Sequence, residues 1–180
     1  MQTVEFREKI LPLSRKMMRF AERFLNNSDE AKDVVQDVFL KLWQKKDEFH
    51  KIENTEAFAM RMVHNRCLDI IRKQRIYTIN NKMEKALENK ECGDVDKFEW
   101  SDVAGQIKTL IMQLPEQQQT VILLHDIENY EYSEIAEITG MNENALRVNL
   151  SRARKKVKDE LLEIYKNESD RSKATIGEIF

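Results

Sequence analysis

Glycine and proline are nearly missing: there are four Gly and two Pro in 180 residues, and the first Gly is Gly93. Sheet sandwiches and barrels need frequent turn residues, so this scarcity excludes them and predicts an all-helical chain. Cysteine occurs only at Cys67 and Cys92, which rules out a disulfide framework. Cys67 falls inside an apolar helical pattern, where a free Cys acts as a small core residue. The longest aliphatic run is Val121-Ile122-Leu123-Leu124, far short of the roughly 20 residues that cross a bilayer. The start, Met1 to Phe6, lacks a basic stretch followed by an apolar one, so the chain is expected to stay in the cytoplasm. Neither charge sign dominates, with 30 Lys and Arg against 32 Asp and Glu for a net charge of -2. Any case for nucleic acid must therefore rest on local stripes of charge. What is present is 41% hydrophobic and 34% charged residues, enough for one ordinary domain or two small ones.

From Val4 to Ile76 the sequence reads as consecutive amphipathic helices. Ser28 is a suitable N-cap, with Asp29 and Glu30 where the helix dipole favours acids. The apolar positions Ala31, Val34, Val35, Val38, Phe39, Leu42 and Trp43 then form one stripe. A cap at Asn54 or Thr55 opens another helix, with Phe58, Met62, Leu68 and Ile71 as core candidates. Its other faces are basic: Arg61, Arg66, Arg72, Lys73 and Arg75 stand against Asp69. Between Asn80 and Val103 there are seven acids and four bases with few large apolar residues. That composition predicts a flexible acidic tether, with an exposed acidic helix edge as the other reading. The expected layout is a first lobe over 1–76, a linker over 77–105, a second lobe over 106–166 and a poorly ordered tail over 167–180.

The second lobe is the more informative. Pro115 suits a first helical position, and Val121 to Leu124 read as buried helix. Ser133 caps a short helix through Ile138, Gly140 ends it, and Asn142 caps a longer helix from Glu143 to about Tyr165. Two helices joined by a Gly turn make a helix-turn-helix, with Ile135, Ile138, Met141, Leu146 and Leu150 as its wedge. In the last helix Leu146, Leu150, Ala153 and Val157 point inward. From Glu143 to Lys158 six bases stand against one acid, Glu143, a net charge of +5, which suits a helix entering the major groove. A solvated cationic face would explain the charge but not the capped helix and turn before it.

Three stretches carry a resemblance. Tyr132 to Met141 together with Ala145 to Lys156 resemble region 4 of an extracytoplasmic-function (ECF) sigma factor of the sigma-70 family. Ala31 to Trp43 resemble region 2.2, and Ala57 to Asp69 resemble the helix of regions 2.3 and 2.4. The run Asn142-Glu143-Asn144-Ala145-Leu146-Arg147-Val148-Asn149-Leu150-Ser151-Arg152-Ala153-Arg154 is similar to members abundant in Bacteroidetes. The resemblance covers about residues 5 to 165. It implies two helical domains, no enzyme activity and no cofactor, in a subunit that binds core RNA polymerase and directs it to promoters.

Carried onto this chain, the resemblance places Asp33, Gln36 and Asp37 on the surface that docks on the clamp helices of the largest polymerase subunit, with region 4 meeting the flap of the second-largest. An acid and amide face at i, i+3, i+4 suits hydrogen bonds from a partner's Arg. Leu40 and Trp43 add apolar contact, although Trp43 fits the core better. Arg61 and Asn65 lie on the helix used against the -10 element, preceded by the base-capturing loop Asp47 to Asn54, where Phe49 and His50 are able to stack. At the -35 element Arg147, Val148, Ser151 and Arg152 align with groove-facing positions, and Asn144, Asn149, Arg154 and Lys155 with positions nearer the phosphates. Arg147 and Arg152 are the candidates for guanine. Asn149 departs from the Arg or His of many relatives, and Asn129 from their Gly. The family further implies promoter DNA and an anti-sigma factor, in some members membrane-bound, as partners, and a monomer when free.

Two other classes compete. A stand-alone helix-turn-helix regulator with a sensing or dimerising first lobe explains the second lobe only. A metal-dependent helical enzyme has only the pair His64 and Cys67, whereas a zinc site needs three or four ligands.

Overall fold

A computed structural model describes residues 2–45, 52–85 and 103–179, and every described element is helical. Helix α1 (Gln2–Lys9) leads through a 3-10 turn at Leu11–Leu13 into α2 (Ser14–Leu25), followed by α3 (Ser28–Gln44) and α4 (Thr55–Lys85). The second lobe contains α5 (Val103–Met112), α6 (Glu116–Ile122), α7 (Tyr132–Thr139) and α8 (Glu143–Ile179). A π-helical turn, Leu123–Ile127, continues α6.

The first lobe closes around the aromatic side of α2. Met17, Phe20, Ala21 and Phe24 pack against Ala31, Val34, Val38 and Leu42 of α3 and Met60, Val63 and Cys67 of α4, all buried. Cys67 is a small core residue, its thiol pushed up to about 12 by burial. Cys92 lies outside the described residues.

Several local expectations shift by a residue or a face. The α3 cap is Asn27, whose side-chain oxygen accepts from the Asp29 and Glu30 amides at 3.0 and 3.2 Å. Ser28 falls one position inside, and its hydroxyl donates to Glu22 at 2.9 Å. A cap of this kind contributes about 1 kcal/mol. Asn54 caps α4, accepting from the Ala57 amide at 3.0 Å. In α4 Leu68 is buried as expected, but Phe58, Met62 and Ile71 are half-buried; Met60, Val63, His64 and Cys67 form the inner stripe. The displacement has a physical cause: α4 is covered by α2 and α3 on one side and by α7 on another. Trp43 is not core. It is 39% exposed and meets Phe6 edge-on at 5.1 Å on the rim of the lobe.

In the second lobe Pro115 is the N-cap of α6 rather than its first helical residue. Helix α7 starts at Tyr132, ahead of Ser133. The Glu131 amide donates to Glu134 Oε2 at 2.8 Å, a reciprocal arrangement that displaces Ser133 as the cap. Gly140 ends α7 with φ of +75° and donates its amide to the Ala136 carbonyl at 2.8 Å. Asn142 caps α8 through the Ala145 amide at 2.8 Å. Asn129 takes the left-handed conformation, φ +58°. Helix α8 continues past Tyr165 to Ile179, and no Gly or Pro stands between 166 and 176 to stop it.

Candidate nucleic-acid interface

The turn between α7 and α8 is held by Ile135, Ile138, Leu146 and Leu150, all buried, with Met141 packed half-buried against them. Ala153 is buried and Val157 half-buried further along the same stripe. Among the described residues nothing covers the opposite face. Asn144, Ser151, Arg152 and Lys155 are exposed, and Val148 is 47% exposed. An exposed apolar residue amid bases suits contact with a thymine methyl or groove wall.

The flanks behave differently. Asn149 is half-buried and its amide donates to the Ala145 carbonyl at 2.9 Å, so this side chain turns back onto its own helix. Arg147 pairs with Glu143 at 2.8 Å. Arg154 is held by Asp126 through two bonds at 2.8 and 2.5 Å. Partial burial works against the Asp126 charge, but hydrogen bonds from Arg154 and His125 prevail and hold its carboxyl below the ordinary range.

The -10 candidates sit where the lobes meet. The Arg61 guanidinium donates through Nε at 2.7 Å and also through Nη2 to the Glu137 carbonyl of α7. Asn54 donates to the Glu137 carboxylate at 2.8 Å. Asn65, one turn beyond Arg61, is exposed. Phe49, His50 and most of the loop from Asp47 lie outside the described residues.

Further contacts between the lobes had no local sequence signal. The Glu128 side chain, 3% exposed, receives Arg19 at 3.3 Å and Arg23. Glu56 accepts from the Tyr130 hydroxyl across the lobes at 2.7 Å, and from Lys16 of its own lobe at 2.5 Å. Gln119 donates to the Phe24 carbonyl at 3.2 Å, and Arg72 pairs with Glu116 at 2.8 Å. His64 Nε2 lies 3.2 Å from Thr120 Oγ1. That hydroxyl already donates to the Glu116 carbonyl at 2.8 Å, so the imidazole is the donor. Burial drives the His64 pKa down to about 4. His64 and Cys67, the one His and Cys pair in the sequence at helical spacing, are therefore interior groups.

On α3, Asp33, Gln36 and Asp37 are exposed and Leu40 is 59% exposed. Arg66 of α4 pairs with Asp37 at 3.1 Å, a contact in which both side chains keep substantial exposure. Such a surface pair is worth little and exchanges readily.

A helix-turn-helix with a clear basic face, joined to a helical lobe with an exposed acid and apolar ridge, defines a two-lobed DNA-binding protein. Two family models match in this order: Sigma-70 region 2 over residues 10–76 and Sigma-70 region 4 over residues 104–157. The chain is 27% identical over 143 residues to the RNA polymerase sigma factor SigV of Bacillus subtilis, covering 79% of this chain and 82% of SigV. It is 25% identical over 146 residues to the ECF RNA polymerase sigma factor SigM of Mycobacterium tuberculosis, covering 78% and 68%. Its fold matches that of the sigma factor RpoE solved with the anti-sigma factor NepR from Bartonella quintana, with a TM-score of 0.65 at 22% identity, covering 89% and 98%. The chain belongs to the sigma-70 family, as an ECF RNA polymerase sigma factor that binds core polymerase and directs promoter-specific initiation. The narrower similarity to Bacteroidetes members is not carried by these relatives. Among the described residues no helix is long and apolar enough to cross a membrane.

Proposed function

We propose that the two lobes divide promoter recognition, region 4 reading the -35 element through α8 while region 2 anchors the polymerase through α3 and opens the -10 element through α4. The observation that carries this reading is the outward face of α8. Asn144, Arg147, Val148, Ser151, Arg152 and Lys155 stay exposed although the lobe behind them packs against region 2. Duplex DNA therefore reaches α8 with the lobes together. The -10 side differs: Arg61 does not meet DNA while it donates to the Glu137 carbonyl. Full promoter engagement accordingly requires α7 to leave α4, and an unpaired strand then takes over the donors of Arg61 and Asn65.

The protein acts without catalysis or cofactor, since binding energy for the separated strand offsets the unpairing. It works in the cytoplasm as a monomer that joins polymerase. The RpoE relative was solved with an anti-sigma factor; a partner of that class would act on this chain by favouring the arrangement in which Arg61 and Asn54 are occupied.

The α3 surface makes the polymerase contact testable. Leu40 and Trp43 give an exposed apolar ridge beside Gln36 and Asp37, the kind of patch in which a few anchors dominate. Replacing Gln36 and Asp37 together by Ala is expected to weaken binding to core RNA polymerase at least tenfold, with the urea midpoint of the free protein nearly unchanged because Asp37 loses only a surface ion pair. Affinity equal to that of the unaltered protein in a core-binding titration would refute this docking surface.

A further inference from the structure

Arg147 and Arg154 lie two turns apart on one flank of α8, and each is held from outside the helix. The Arg147 guanidinium carbon stands 4.8 Å from the centre of the Tyr132 ring. Tyr132 lies in turn against the His125 ring at 4.8 Å and 39°. His125 Nδ1 is 2.8 Å from Asp126 Oδ1, and the same carboxylate holds Arg154. A continuous row of side chains thus runs from Glu143 through Arg147, Tyr132, His125 and Asp126 to Arg154.

The backbone builds this row. A π turn inserts one residue more per turn than an α-helix, and such turns rotate neighbouring side chains away from the α-helical course. Here it covers Leu123–Ile127, with the Glu128 amide donating to the Leu123 carbonyl at 3.0 Å. It brings His125 and Asp126 to the side of α8, and the left-handed Asn129 then returns the chain so that Tyr132 opens α7 between His125 and Arg147.

We propose that Tyr132 is a positioning residue for promoter specificity: its ring, backed by His125, fixes the plane of the Arg147 guanidinium for the -35 base pair. The inference rests on the assignment of Arg147 to the groove. Glu143 supplies charge but, as an exposed i, i+4 partner, fixes orientation weakly. A planar guanidinium stacked on an aromatic face is restrained in direction as well as in place. A bidentate contact to a guanine edge requires that direction, and an arginine ordered in advance loses less freedom on binding. Tyr132 is only half-buried, while the wedge residues Ile135, Ile138 and Leu146 are buried without its help.

The test uses the full chain with core RNA polymerase on a promoter it transcribes and on variants carrying each other base pair at successive -35 positions. The readout is the ratio of cognate to variant affinity. Partial unfolding scales both affinities alike and leaves this ratio unmoved. Tyr132→Leu is expected to lower the ratio about two- to fivefold at the position where Arg147→Ala lowers it, and to add nothing in the Arg147→Ala background. Tyr132→Phe keeps the ring and is expected to keep the ratio. A ratio unchanged by Tyr132→Leu where Arg147→Ala collapses it overturns the positioning role alone, as does an equal loss in the Leu and Phe variants. A ratio untouched by Arg147→Ala overturns the groove assignment and the positioning role with it.

Discussion

Replacing Arg147 by Ala is expected to lower affinity for the cognate -35 element by about 1–3 kcal/mol, roughly 5- to 150-fold, and to relax base preference at one position. Arg152→Ala is expected to do the same at a neighbouring position. The magnitude follows from a bidentate contact with guanine, which has no substitute once the guanidinium is removed. Both residues lie on the exposed side of α8, opposite or flanking the buried Leu146, Leu150 and Ala153, so neither truncation opens a cavity. The change is therefore expected in sequence preference rather than in folding. A binding series over single-base -35 variants checks this, and an unaltered preference profile in both variants would remove α8 residues 147 and 152 from the base-reading role. Lys155, by contrast, carries charge without planar recognition, and its loss should flatten salt dependence uniformly across sequences.

Acid is expected to weaken the folded arrangement well before the carboxylates titrate. His64 is 5% exposed, and burial lowers its pKa from the ordinary value of 6.5 to about 4. Around it, Glu116 of α6 partly opposes the shift and Arg72 of its own helix adds to it. The folded chain thus disfavours the imidazolium. Its stabilising contribution is complete above about pH 6.5 and is lost as pH falls toward 4, a loss of about 2 kcal/mol between pH 7 and pH 5. Because Nε2 donates to Thr120 of the other lobe, the loss falls on closure of the lobes as well as on region 2. His64→Gln keeps a donor for Thr120 without a proton to gain and should flatten the dependence over that range. Urea unfolding at pH 7, 6 and 5 measures both proteins; equal slopes against pH in the two would contradict the role given to His64.

The helix-turn-helix was the part most legible in sequence, because its signals are local. Gly140 supplies a left-handed residue where one is required, Asn142 supplies a cap, and the wedge recurs at helical spacing. Adjacent cap-forming residues blurred boundaries: Asn27 and Ser28 are both suitable, and only the geometry shows that Asn27 reaches the two amides. The inner stripe of α4 was misplaced because periodicity reports a single buried face, whereas this helix is covered on two sides. Closure of the lobes was hidden for another reason. Glu128, Glu56 and Arg61 are ordinary charged residues in sequence, and their roles come from partners 109, 74 and 76 positions away. The same holds for the site: the exposed α8 residues were readable from spacing, while the Tyr132 and Asp126 contacts to Arg147 and Arg154 depend on a π turn that leaves no pattern.

The most direct measurement is in vitro transcription with purified core RNA polymerase, this protein and a pool of genomic fragments, with the transcript starts sequenced. Discrete starts that share a -10 and -35 motif pair, present with the protein and absent without it, are the expected result. Failure of a folded preparation to bind its cognate core enzyme and to yield such starts would contradict the account.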